Sequence, residues 1–116
     1  MKIEISEHII RIYIITLDGR VDAFHVPKLR ETLQAYQDKG ATNFVIDLSA
    51  VLFMDSAGMA TLVSLLKYAR TVMGDVKLVW PTNFEAQRIL KLTRFDRVFE
   101  MVNDSSEGVY RFTHPS

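Results

Sequence analysis

The sequence predicts an α/β domain: a mixed, mostly parallel β-sheet of four to five strands with α-helices packed against it. Three observations carry this. Segments with strand character alternate with segments of helical periodicity along the chain. The run Ile9 to Leu17 is apolar on both faces, as in a strand covered on each side. An opening hairpin, Lys2 to Ser6 turning at Glu7-His8 into that run, makes the sheet mixed.

In Ile9 to Leu17, Ile10, Ile12 and Ile14 lie on one side and Ile9, Tyr13, Ile15 and Leu17 on the other; Asp18-Gly19 ends the run. Pro27 opens a helical segment, where its missing N–H costs nothing. Leu29, Leu33 and Tyr36 recur at helical spacing, and Gly40 closes the segment. Phe44 to Leu48 is the next strand. A long amphipathic helix follows, from Ala57 to Met73, with Leu62, Leu65, Leu66, Ala69 and Met73 on its buried face. Gly74-Asp75 stops it, with glycine at the C-cap. Val76 to Trp80 is a strand, and Thr82-Asn-Phe-Glu85 fits a capping box for a helix from Asn83 to Leu92. Phe95 to Met101 contains a short last strand. Ser105 to Thr113 suits either a helix weakened by Gly108 or an extended segment, given Tyr110 and Phe112.

Composition narrows the function. The 116 residues make one domain, and 48% apolar content supports a core without staples. No cysteine is present, so disulfides and thiolate metal sites are excluded. Fourteen basic residues balance fourteen acidic ones, which gives no electrostatic footprint for nucleic acid. The start of the chain lacks the apolar core of a secretory signal, and no stretch is long enough to span a bilayer. A cytoplasmic domain is the expectation. His8, His25 and His114 are scattered without ligand spacing, so no metal or other cofactor is expected. Trp80 and Phe84 read as core residues rather than a base-stacking platform.

The most telling stretch is Asp47-Leu-Ser-Ala-Val-Leu-Phe-Met-Asp-Ser-Ala-Gly-Met59. It carries the chain from a strand into Asp55-Ser56-Ala57-Gly58 and so places one hydroxyl, Ser56, at a helix N-terminus. Free N–H groups and the positive end of the helix dipole favour a phosphate there. Taken alone, such a serine is also a common N-cap or turn residue. Asp55 suits either a loop-shaping role beside an acceptor or a turn that bonds its own backbone.

With Leu17-Asp-Gly-Arg-Val-Asp22, Asp47-Leu-Ser49 and Phe53-Met-Asp-Ser-Ala-Gly-Met59, the chain resembles the STAS domain family over nearly its whole length, specifically the stand-alone bacterial anti-sigma factor antagonists. The resemblance implies that Ser56 is phosphorylated by a partner anti-sigma factor that is also a serine kinase. It implies that the unphosphorylated form binds that partner and frees a sigma factor, and that a serine phosphatase reverses the modification. It also places Asp22 beside Ser56. Residue 57 is alanine where serine or threonine is frequent in the family, which leaves phosphoacceptance untouched.

At about 100° per residue, Ser56, Met59, Val63, Lys67 and Arg70 share a flank beside the buried face. With Asp22, Asp55, Ala57 and Gly58, this flank is the expected docking surface. The alternative reading has Met59 and Val63 edging the core, with Lys67 and Arg70 as solvated charges. The free protein is expected to be a monomer. A STAS subunit of a larger stress-sensing or transporter-associated assembly is the alternative. An enzyme is not expected: there is no Gly-x-Ser-x-Gly elbow or Walker loop, and no base is placed near Ser56 by sequence. A response-regulator receiver would use Asp55 as acceptor and needs an acidic pair after its first long strand, where this chain has Asp18-Gly19-Arg20. Asp47, within a strand pattern, reads as structural, accepting bonds from loop amides.

Overall fold

The computed structural model describes residues 1–7 and 9–115. The elements run β1 (Tyr13–Val21), α1 (Val26–Asp38), β2 (Asn43–Met54), α2 (Ser56–Thr71), β3 (Asp75–Val79), α3 (Phe84–Leu92), α4 (Phe95–Val98), β4 (Glu100–Val102) and α5 (Ser105–Thr113). The strands pair in chain order, β1-β2-β3-β4, and every pairing is parallel. Helices α1 to α4 close the main core on one face, where Phe44, Ile46 and Leu48 of β2 meet Leu33, Leu62, Leu65, Leu90 and Phe95. Helix α5 covers a smaller cluster on the other face, Val45, Val79 and Val102, with Phe112 packed on it. The middle of β2 is thus apolar on both sides because it is covered on both sides.

Several boundaries correct the sequence expectations. Residues 2–6 form no strand, so the described sheet is parallel throughout rather than mixed; the expected turn at Glu7-His8 includes a position outside the described residues. Only Ile3 and Ile5 offer apolar area there, about 3–6 kcal/mol at best, against about 5–10 kcal/mol to order five residues. Strand β1 starts at Tyr13 and does not end at Asp18-Gly19. It continues to Val21, absorbing Gly19 at φ +77 in an irregular register. Strand β2 runs six residues past Leu48, to Met54.

Met73 turns in the left-handed conformation after α2 and is 95% exposed, so it leaves the core expected for it. Gly74 is needed for a different reason: a Cβ there would lie 1.9 Å from the Thr42 carbonyl oxygen. Asn83, not Thr82, caps α3, accepting from the Ala86 N–H at 3.0 Å. The Thr82 hydroxyl and amide both donate to the Ser49 carbonyl, which ties this loop to β2. Phe84, expected inside, is exposed. Phe95 begins a helical turn before β4. Ser105 to Thr113 is helical, and Gly108 suits it because α5 lies so close to β2: a Cβ would meet Val45 Cγ2 at 2.9 Å.

Charge fixes α5 as well. Lys77, buried in β3, pairs with Glu100 and lies 4.3 Å from the centre of the Phe112 ring; Arg111 of α5 bonds Glu100 at 3.1 Å. Lys77, then Arg111, hold the Glu100 carboxyl below the usual carboxylate range, against the opposing effect of burial. A carboxylate with a depressed folded pKa stabilises above its unfolded pKa and loses that contribution as pH falls through the folded value. Denaturant melts are therefore expected to show stability falling with acid, and Glu100→Gln is expected to be less stable at neutral pH with a shallower acid slope. An unchanged slope would show that Glu100 is not the titrating group.

Candidate functional site

In a parallel sheet the strands' carboxyl ends collect the loops of one edge. Here that edge holds the turn after β1 (residues 22–25), the junction of β2 with α2, and the turn before α3. Two register shifts give β2 extra residues against β1, so that Phe53 faces Arg20 and Met54 faces Val21. The Arg20 guanidinium lies 4.2 Å above the Phe53 ring. These irregularities deliver the end of β2 directly beside the end of β1.

Asp55 joins the two. Its amide donates to the Val21 carbonyl at 3.3 Å. Its carboxylate caps α2, with Oδ1 accepting from the Gly58 N–H at 3.0 Å, while Oδ2 accepts from the Ala23 N–H at 2.9 Å. The amides of Gly58 and then Ala23 lower the Asp55 pKa; burial and the Asp22 charge oppose them. The cap is therefore Asp55, and Ser56 is the first helical residue, exposed to solvent. That removes the N-cap role as an explanation of Ser56.

Asp22 organises the neighbouring loop. Its carbonyl accepts from the His25 and Val26 amides, and its Oδ1 lies 2.7 Å from His25 Nδ1. Oδ2 accepts from Arg20 Nε at 3.3 Å. The His25 side chain is the main cause of its lowered pKa. Ser56 thus sits at a helix start directly after the ionised Asp55 carboxylate, which itself feels the charge of Asp22.

The other expected site residues divide. Gly58 is buried, so it offers no surface for a partner; a Cβ there would come 2.3 Å from the Val21 carbonyl oxygen and 2.9 Å from Val21 Cγ1. Its place is packing, holding α2 against the end of β1. Ala57 is half-buried and its carbonyl accepts from the Thr61 hydroxyl at 2.9 Å. Met59 and Val63 are half-buried against the main core. Lys67 is exposed, whereas Arg70 is drawn aside to the Val98 carbonyl and Asp75. Asp47 lies away from the site, accepting from the Ser49 amide and the Ser105 hydroxyl. The Asp22–His25 pair escaped the sequence reading. Its signal was the three-residue spacing ahead of a helix start, which suits a side chain closing on its own turn.

The STAS domain model matches residues 2–108. The chain belongs to the STAS domain family. Among curated relatives, the anti-sigma-B factor antagonists of Listeria monocytogenes and Listeria innocua are each 30% identical over 92% of this STAS chain and 93% of their own. Among solved structures, the anti-sigma factor antagonist SpoIIAA in its unphosphorylated form superposes with a TM-score of 0.72 at 22% identity, covering 93% of this chain and 96% of its own. An anti-sigma factor antagonist from Mycobacterium paratuberculosis gives 0.74 at 23% identity, over 90% and 87%. These two likenesses show a shared fold. No described helix of this STAS domain is long and apolar enough to cross a membrane.

The Gly58 contact has a direct test. Gly58→Ala is expected to cost about 1–3 kcal/mol by overpacking, although alanine is the better helix former. Chemical denaturation measures it. A stability gain would show that α2 does not pack this closely on Val21.

Proposed function

We propose that this STAS domain is an anti-sigma factor antagonist controlled by phosphorylation of Ser56, a protein-binding regulator and not an enzyme. Unphosphorylated, it binds an anti-sigma factor that is also a serine kinase and so frees a sigma factor. Phosphorylation of Ser56 blocks binding, and a serine phosphatase restores it. The observation that carries the reading is the exposed Ser56 at the start of α2, with the capping role taken by Asp55. The Listeria relatives, matched over nearly their full length, support the antagonist role.

The energetics suit a switch. A phosphate adds roughly −1.5 to −2 charges. The helix end offsets part of this, about 0.3–1 kcal/mol at an exposed site, while the Asp22 and Asp55 carboxylates oppose it. The fold tolerates the group because it stays in water. Under a partner, an uncompensated dianion costs several kcal/mol, and about 1.4 kcal/mol is tenfold in affinity. The docking surface in this reading comprises Asp22, Asp55, Ser56 and Ala57, continuing along Met59, Val63 and Lys67, with Gly58 holding its base. The free protein is a monomer.

Ser56→Ala is expected to fold and bind the anti-sigma factor but to accept no phosphate, as read by mass spectrometry. Ser56→Glu is expected to weaken binding about a hundredfold or more with a melting temperature close to that of the unaltered protein. If melting temperature and affinity fall together, Ser56 serves the fold instead.

A further inference from the structure

We propose that Phe24 is the apolar anchor of the Ser56 surface, the side chain that the anti-sigma factor buries in a socket of its own. This rests on the reading above and adds a residue to it. Phe24 is 85% exposed, although burying such a ring is strongly favourable. Met73 after α2 and Leu92 at the end of α3 are also strongly exposed but lie at the opposite edge, where the helices have returned to the strands' amino ends; Phe84, at the start of α3, shares the carboxyl edge but not the braced turn.

Phe24 is at the carboxyl edge, and its loop is held from both sides. Ala23 donates to Asp55 Oδ2, the same carboxylate that caps the helix bearing Ser56. His25 is pinned to Asp22, and the Phe24 ring meets the His25 ring edge-on with centroids 5.1 Å apart. The aromatic is therefore presented on a braced turn, tied through one carboxylate to the residue whose charge state is proposed to change. Interface energy concentrates in rigid aromatics of this kind, because little conformational freedom is lost on burial.

Charge selects the occupant. The carboxylates of Asp22 and Asp55 brace the turn that carries the ring, through His25 and the Ala23 amide, and are held ionised. The matching surface is an apolar socket on a folded protein with a cationic side chain at its rim. Phosphate on Ser56, next in the chain to Asp55, adds negative charge at this edge and opposes the desolvation that seating Phe24 requires.

Titration of the purified anti-sigma factor from the same organism against four variants tests this. Phe24→Ser is expected to lose at least about tenfold in affinity with an unchanged melting temperature, whereas Phe24→Tyr and Leu92→Ser bind as the unaltered protein does. Ser56→Glu runs alongside. If Ser56→Glu loses binding while Phe24→Ser keeps it, the anchor is refuted and the proposed function stands. If the unaltered protein does not bind, or Ser56→Glu binds equally well, that function falls and takes the anchor with it. Sedimentation without partner adds a last outcome: self-association abolished by Phe24→Ser would make the occupant a second copy of the chain and overturn the proposal.

Discussion

Two hydrogen bonds from one carboxylate organise the functional edge. Asp55 accepts from Gly58 at the start of α2 and from Ala23 in the turn after β1. The segments it joins lie more than thirty positions apart in sequence, so neither can set its own relation to the other. Its amide adds a third tie, to the Val21 carbonyl. An acceptor serving two amides stays ionised, and an ionised acceptor makes the stronger bonds. The charge that fixes the geometry is thus the charge that Ser56 has beside it.

Steric fit completes what the carboxylate begins. Gly58 lets α2 approach the end of β1 within a distance no side chain permits, and Val21 fills the space beneath. The extra residues in β2 bring its last turn level with that point. A shorter β2 leaves Asp55 out of reach of Ala23. The opposite face of the sheet is built with less apolar area and more charge: α5 is held by Gly108 against Val45 and by Lys77, Glu100 and Arg111. The two faces therefore differ in kind, an apolar one under α1 to α4 and a partly ionic one under α5.

Much of this was legible in the chain. Helices α1 and α2 follow from apolar periodicity, α3 from its capping signal, and the cores of β2 and β3 from apolar runs interrupted only by Asp47 and Lys77. Ser56 was legible as a helix-start serine, and the family resemblance pointed to the Asp22 turn, which Asp55 ties to the start of α2. What escaped depends on contacts distant in sequence. Ser49 to Met54 looks like a turn until β1 is seen pairing with it. Gly74 looks like a cap, but its constraint is the Thr42 carbonyl, and the left-handed residue is Met73. Gly108 weakens a helix in isolation and permits one here. The division of Met59 and Val63 from Lys67 also needed the packing, since helical spacing alone puts all three on one flank.

The bracing at Asp55 bears on how long a signal lasts. The domain's working edge is held at several points by Asp55. Under the proposed function its record is one phosphoester, kinetically inert in water, so the duration of silence is set by the hydrolase that removes it and not by any property of the domain.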